Sequence, residues 1–183
     1  MRRPVAPFKY RWILLFVLFT SVVCRAEETY SDLGRAATEK EIRAWDTDVR
    51  YDGLGLPDGQ GTYEEGKDIY KAQCAACHGE KLEGVPELGR GPLIGPGLTV
   101  SSHWPYAPTL FDFIRRAMPF NAPASLSDDE VYALCAYILV EGGIHSADQP
   151  MNANVLSNIK MPNSDNFIPD PRPDTGHSGK KAR

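Results

Sequence analysis

The pattern of apolar and polar positions first organises the middle of the chain. Gly66, Ile69, Tyr70 and Gln73 recur at spacings of three and four, which puts them on one face of a helix. Thr62-Tyr63-Glu64-Glu65 supplies its start: Thr62 is an N-cap and Glu65, three residues on, reaches back to the cap amide. The pattern runs directly into Cys74. Gly66 costs such a helix roughly 1 kcal/mol relative to alanine, and a close crossing by another helix would account for it. That partner is predicted from Ser127, where Ser127 and Glu130 form a second capping box. Its apolar stripe is Val131, Leu134, Cys135, Ile138 and Leu139, with Ala133, Ala136 and Tyr137 on an adjacent face and Tyr137 near Tyr70. A shorter amphipathic helix is predicted over 109–117, with Thr109 as cap, Asp112 at the third position and Leu110, Phe111, Phe113 and Ile114 as apolar content. Arg115 and Arg116 sit at its end, where the helix dipole favours cations, and Pro119 stops it. Thr38 starts a possible further short helix that runs to Trp45.

The rest lacks periodicity. Residues 27–61 read as a polar N-terminal extension, and the stretch 52–59 is dense in turn formers. Residues 79–98 form a proline- and glycine-rich loop, long for a domain with nothing to fold over. From Gly142-Gly143 an extended C-terminal tail runs to 183, expected to wrap the helical domain or a partner with Asn166-Phe167-Ile168 as its candidate apolar anchor, and its last eight residues are expected to be disordered. The predicted organisation is a leader at 1–26, an extension at 27–61, a helical domain at 62–142 and a tail at 143–183. The fold class is all-α, with short helices and long loops.

The first 26 residues have a basic start (Arg2, Arg3, Lys9, Arg11), an uncharged run from Trp12 to Val23 and a small residue, Ala26, before an acidic pair. This is the layout of a secretory signal peptide. A retained anchor is the alternative, though the run is short of the roughly 20 residues a span needs. The leader carries five basic residues and no acidic one, so its removal takes the net charge from −4 to −9. That excludes nucleic acid and anionic membrane as natural partners and leaves a basic protein patch plausible. With 42% hydrophobic and 24% charged residues, the 183-residue chain is otherwise of ordinary globular composition.

The chemistry is concentrated in Cys74-Ala75-Ala76-Cys77-His78. C-x-x-C-H is the attachment signal of a c-type haem: two thiols add to the porphyrin vinyl groups and the histidine follows as an axial ligand. C-x-x-C alone would also suit zinc or thiol exchange, but the added histidine and the lack of a second cysteine pair argue against both. One motif means one covalently attached haem. Met118, held before Pro119, is the expected sixth ligand, ahead of Met161, which also precedes a proline. A carbonyl near Pro92 is expected to accept Nδ1–H of His78 and orient the ring, and Leu93 to cover the haem face. Trp104 and Tyr106 carry donors that could reach a propionate. His103 reads as a solvated loop histidine, and Cys135 as a small buried apolar residue. No catalytic residue is predicted: histidine–methionine ligation fills both axial positions and raises the potential, so the chain is expected to move electrons as a subunit of an oxidoreductase rather than catalyse by itself. A haem enzyme or gas sensor with an open site is the alternative from another class.

Helix, C-x-x-C-H, proline–glycine loop, Met-Pro and capped last helix together resemble a class I c-type cytochrome. Further stretches resemble the cytochrome subunit of sulfane dehydrogenase, the SoxD family. These are Leu33-Gly34-Arg35-Ala36-Ala37-Thr38, Ala44-Trp45-Asp46-Thr47-Asp48-Val49-Arg50 and Gly53-Leu54-Gly55-Leu56-Pro57-Asp58-Gly59-Gln60-Gly61. The most specific is Trp104-Pro105-Tyr106-Ala107-Pro108-Thr109-Leu110-Phe111-Asp112-Phe113-Ile114-Arg115-Arg116-Ala117-Met118-Pro119. Met161-Pro162-Asn163, Phe167 and Asp170-Pro171-Arg172-Pro173-Asp174 follow in the tail. The resemblance implies a periplasmic partner, a molybdopterin-containing SoxC-like dehydrogenase that oxidises a protein-bound sulfane sulfur, and a downstream c-type cytochrome as acceptor. It also implies Cys74 and Cys77 as haem attachments and His78 and Met118 as axial ligands. Some members of that family carry two haem domains, whereas this chain has one motif. A cytochrome serving a sulfite dehydrogenase, or a free-standing class I carrier, would look much the same.

Overall fold

A computed structural model describes residues 34–168. The predicted leader and the residues after 168, with the Asp170–Asp174 stretch, lie outside the described residues. The described residues divide between two units, 34–43 and 44–168. At their junction is a short helix, α1 (Glu39–Trp45), with Thr38 and Glu41 bonded reciprocally at its start.

Two capped helices dominate the second unit, and both begin where the sequence places them. α2 (Tyr63–Gln73) has Thr62 as N-cap, with the Glu65 amide donating to the Thr62 hydroxyl and the Thr62 amide donating 2.8 Å to the Glu65 carboxylate. The helix Asp128–Glu141 has the same reciprocal arrangement between Ser127 and Glu130. It is buried from Val131 through Leu139, so it is the central element rather than a one-faced surface helix. α2 crosses it at Gly66, where an added Cβ would fall onto the Ala133 backbone, 2.5 Å from its carbonyl carbon. The glycine is there because two backbones meet. The rings of Tyr70 and Tyr137 flank the crossing with centroids 5.1 Å apart.

Four other helices and a small sheet complete the unit. α3 (Ala75–His78) follows α2 through Cys74; α4 (Val100–His103) starts at an N-cap threonine, Thr99; α5 (Pro108–Ala117) leads to Met118; the central helix is α6; α7 (Ala153–Ser157) lies in the tail. Two-residue strands β1 (Gln60–Gly61) and β2 (Met151–Asn152) pair antiparallel, Gln60 with Asn152 and Gly61 with Met151. The described residues are thus mostly helical, as the pattern predicts.

The cap of α5 differs from expectation. The helix begins at Pro108 with Ala107 as N-cap, so Thr109 is already inside it. Proline lacks the amide hydrogen that the first turn leaves unbonded and has its φ preset, so it takes the first position readily. Asp112 does not serve the cap either. It is buried, accepts 2.9 Å from the Val49 amide and pairs with Arg116, tying the chain before the first capped helix to α5.

The tail returns to the domain. Met151, Leu156 and Met161 are fully buried in the common core, so 143–168 is a strap built into the domain. Asn166-Phe167-Ile168 is not buried in this core: Ile168 is 94% exposed, and Phe167 lies edge-on to His103 at 5.7 Å. Cys135 lies on the core side of α6 and is completely buried, which pushes its thiol pKa up, consistent with a small apolar residue. Among the described residues no helix is long and apolar enough to cross a membrane.

Candidate haem site

The C-x-x-C-H stretch folds as a single turn. Cys74 ends α2 and begins α3, its carbonyl accepting from the amides of Cys77 at 3.0 Å and His78 at 2.9 Å. One turn of helix brings residues three and four apart to the same side, so both cysteines and His78 face one cavity. Gly79 ends the turn at φ +81, and a Cβ there would be 2.5 Å from the Glu83 carboxyl carbon. The loop is then pinned back: the Gly84 amide donates 2.8 Å to the His78 carbonyl, and the Leu93 amide donates 2.8 Å to the carbonyl of Leu82. Behind it, the buried Tyr70 hydroxyl donates 2.7 Å to the Gly79 carbonyl.

The cavity has a volume of about 590 Å³, within the range of roughly 300–1,000 Å³ typical of sites that bury a cofactor. Leu93, Val100, Leu110, Ile114, Leu134 and Ile138 make much of its wall. Met118 lines it as well. It caps the C-terminus of α5 in extended conformation, its amide donating 3.0 Å to Ile114, and Pro119 follows as part of the same wall. Met161 is buried in the core and does not line the cavity, which separates the two candidate methionines.

The residues present fit a c-type haem. Burial, with the nearby Arg90 charge as the smaller cause, holds the His78 pKa below its usual value, which favours the neutral imidazole a metal ligand must be. Burial, with the adjacent Cys77 as the smaller cause, pushes the Cys74 thiol up to about 11. Among the described residues no group of three or more His, Cys, Asp or Glu could hold a metal ion. His78 Nδ1 is the one buried side-chain polar atom there without a hydrogen-bond partner.

That last observation corrects one expectation. The bond expected from His78 Nδ1 to a carbonyl near Pro92 is not made in this structure. Pro92 is exposed: the Val85–Arg90 bridge and the Leu93 bond to Leu82 fix the backbone on either side of it and bring Leu93, not Pro92, to the wall. Trp104 lines the cavity, edge-on to Phe113 at 5.9 Å. Tyr106 does not. Its ring lies 5.1 Å from Tyr51 and its backbone bridges Lys160, so it belongs to the seam with the tail. His103 is exposed and outside the wall. The sequence reading missed Arg90, Phe120 and Asn121 as wall residues and the Tyr70 hydroxyl as a clamp. The first three sit in irregular loops without periodicity. A tyrosine on the core stripe four residues before Cys74 was a usable signal for the fourth.

A family model described as cytochrome c oxidase, cbb3-type, subunit III matches residues 61–138. The chain is 28% identical over 117 residues to a thiosulfate dehydrogenase of Stutzerimonas stutzeri, and 32% identical over 87 residues to a cytochrome bc1 complex cytochrome c subunit of Corynebacterium diphtheriae. Those matches cover 54% and 47% of this chain but only 38% and 30% of the relatives, so the chain spans well under half of their length. The crystal structure of the sulfane dehydrogenase SoxCD from Paracoccus pantotrophus matches with a TM-score of 0.71 and 34% identity, over 82% of this chain and 79% of that one. Motif, cavity and a match extending over most of both chains place this protein in the c-type cytochromes, in the family of the cytochrome subunit of sulfane dehydrogenase, with haem c as its cofactor.

Proposed function

We propose that this chain is a periplasmic one-electron carrier with a closed iron. Cys74 and Cys77 would hold the haem covalently, and His78 and Met118 would ligate its iron. The observation that carries this reading is that all four side chains line one largely apolar cavity, although Met118 is forty residues from the motif. When bound, the haem supplies the redox couple, and histidine–methionine ligation raises its potential. The protein's own part is positional. The α3 turn aims both thiols and the imidazole to one side, α5 ends so that Met118 reaches the same space, and the aliphatic wall excludes water. Trp104 is a candidate donor to the cofactor's edge. Neither general acid nor base is needed.

The electron source we infer is a molybdopterin-containing, SoxC-like subunit working in thiosulfate or sulfur oxidation, with a downstream c-type cytochrome as acceptor. The extent of the match to a sulfane dehydrogenase chain supports this, as does the name of the thiosulfate dehydrogenase relative. The export leader predicted at 1–26 agrees with haem attachment outside the cytoplasm. The full chain, purified from its native host, should bring a molybdopterin protein with it and be reduced by that protein's sulfur substrate. A chain that runs alone in every fraction would overturn the complex and leave a free-standing carrier. The closed iron has its own test. The ferrous native protein should not bind carbon monoxide and the ferric form should show the long-wavelength sulfur-to-iron charge-transfer band, whereas Met118→Ala should keep its haem, lose the band and bind the gas. Carbon monoxide binding by the native protein at neutral pH would refute Met118 ligation.

A further inference from the structure

Helix α5 has two working faces. Leu110, Phe113 and Ile114 line the haem cavity, whereas Asp112, Arg115 and Arg116 do not. On that second face Asp112 and Arg115 hold residues 47–49, an irregular segment that precedes α2. The Val49 amide donates 2.9 Å to the Asp112 carboxylate. Arg115 donates 3.3 Å to the Thr47 carbonyl and pairs with Asp128, at the start of α6, at 3.0 Å. Arg116 pairs with Asp112 one turn back.

The segment is built to be held. Val49 is buried in the core, and the turn after it is closed by the Arg50 amide, which donates 2.8 Å to the Leu54 carbonyl. Gly55 lies against it at φ +94, where an added Cβ would meet the Asp48 carbonyl oxygen. Among the described residues Asp112 is the one buried carboxylate. A buried charge is costly unless it is paired and hydrogen-bonded, and an apolar residue of similar volume often replaces such a pair with no loss of stability. Fold stability is therefore a weak reason for a carboxylate at 112. Gripping a backbone amide at a fixed register is a better one, because it requires an acceptor.

The residues that do the gripping lie just before Met118. Arg115 and Arg116 are in the last turn of α5, and the Met118 amide closes on the Ile114 carbonyl in the same turn. Movement of Met118 and its loop away from the cavity pulls on that turn, and through it on both ties to 47–49. We propose, resting on Met118 as the sixth ligand, that residues 47–49 brace α5 through Asp112 and Arg115 and so keep the methionine sulfur in place against competing ligands. Asp112 and Arg115 are positioning residues: neither lines the cavity, and each acts through the helix that ends at Met118. His78 is set by the turn at 74–78 and lies outside these bonds, so the effect falls on one axial position.

The test is an optical titration of the full haem-loaded ferric protein with imidazole, which binds by displacing the methionine and abolishes the long-wavelength sulfur-to-iron band. Release of Met118 strains the Asp112–Val49 bond, so that bond resists imidazole in the native protein and is absent in Asp112→Ala. A hydrogen bond to a charged group is worth roughly ten- to a hundredfold in an equilibrium, so imidazole affinity should rise at least about tenfold in Asp112→Ala. Asp112→Asn keeps a side-chain oxygen for the Val49 amide and should recover much of the native resistance. Gly66→Ala, which loosens the α2–α6 crossing instead, should leave the affinity close to native. An unchanged affinity in folded Asp112→Ala, or an equal rise in Gly66→Ala, would overturn the brace. Should Asp112→Ala fail to fold, Arg115→Gln takes its place: one lost hydrogen bond should raise the affinity roughly threefold or more, and no rise would overturn the brace in the same way. A native ferric protein without the sulfur-to-iron band would instead refute the Met118 ligation beneath it.

Discussion

Gly66→Ala should destabilise the protein, although the same change in an open helix would stabilise it. In a solvent-exposed helix interior, alanine is favoured over glycine by roughly 1 kcal/mol. At Gly66 the new Cβ would lie 2.5 Å from the Ala133 carbonyl carbon and 2.9 Å from Cβ of Tyr137. Ordinary carbon–carbon contact is about 3.5–4.0 Å, so α2 and α6 would have to separate by about 1 Å along their most extensive contact. The obstructing atoms belong to backbone and to the first atom of a side chain, so no rotamer change relieves them. Overpacking of this kind costs typically 1–3 kcal/mol. Because the obstruction is rigid, the upper part of that range applies, and after the propensity gain the net loss should be about 2 kcal/mol. Urea unfolding of the haem-loaded protein, followed by far-ultraviolet circular dichroism, should show a midpoint lower by about 1 M at an unchanged slope. Gly91→Ala is the control: nothing lies within 4 Å of its added Cβ, and its midpoint should barely move. A Gly66→Ala protein as stable as wild type or more so would refute the idea that backbone contact at the crossing is what requires glycine.

Two more outcomes follow from hydrogen bonds on the same helix. Tyr70→Phe leaves the Gly79 carbonyl without its 2.7 Å donor in a buried site, which should cost about 1–3 kcal/mol in the same urea assay; a loss below about 0.5 kcal/mol would show that the hydroxyl is not a clamp on the turn after His78. Thr62→Ala removes the capping box of α2 and should cost about 1 kcal/mol at neutral pH. The Thr62 hydroxyl, then its amide, hold the Glu65 carboxyl below its usual value. A depressed folded-state pKa contributes stability above the unfolded glutamate value of about 4.3 and loses it as pH falls through the folded value. The gap between wild type and Thr62→Ala should therefore be full near neutrality and narrow below about pH 4. A gap that stayed constant through this range would exclude the carboxylate's part.

Features that are local or chemically explicit were legible in the residues alone. The starts of α2 and α6 were legible because a capping box joins residues three apart. The turn at Cys74–His78 was legible because two thiols and an imidazole at that spacing have few other uses. The crossing at Gly66 could be inferred because a glycine inside a helical pattern needs a reason. What the tertiary structure alone decided were meetings between distant segments. Met118 and Met161 each precede a proline and differ only in which one the path of the chain brings to the cavity. Thr109 and Asp112 fit a cap locally, yet Pro108 takes the first turn and Asp112 is used 63 residues away, by Val49. Met151, Leu156 and Met161 follow no helical or strand period. They are core because the tail returns to pair with β1 and lie beside α6, and burial without a period leaves no signal in a sequence. Arg90 faces Phe120 for the same reason: two irregular loops, thirty residues apart, are brought together by the helices between them.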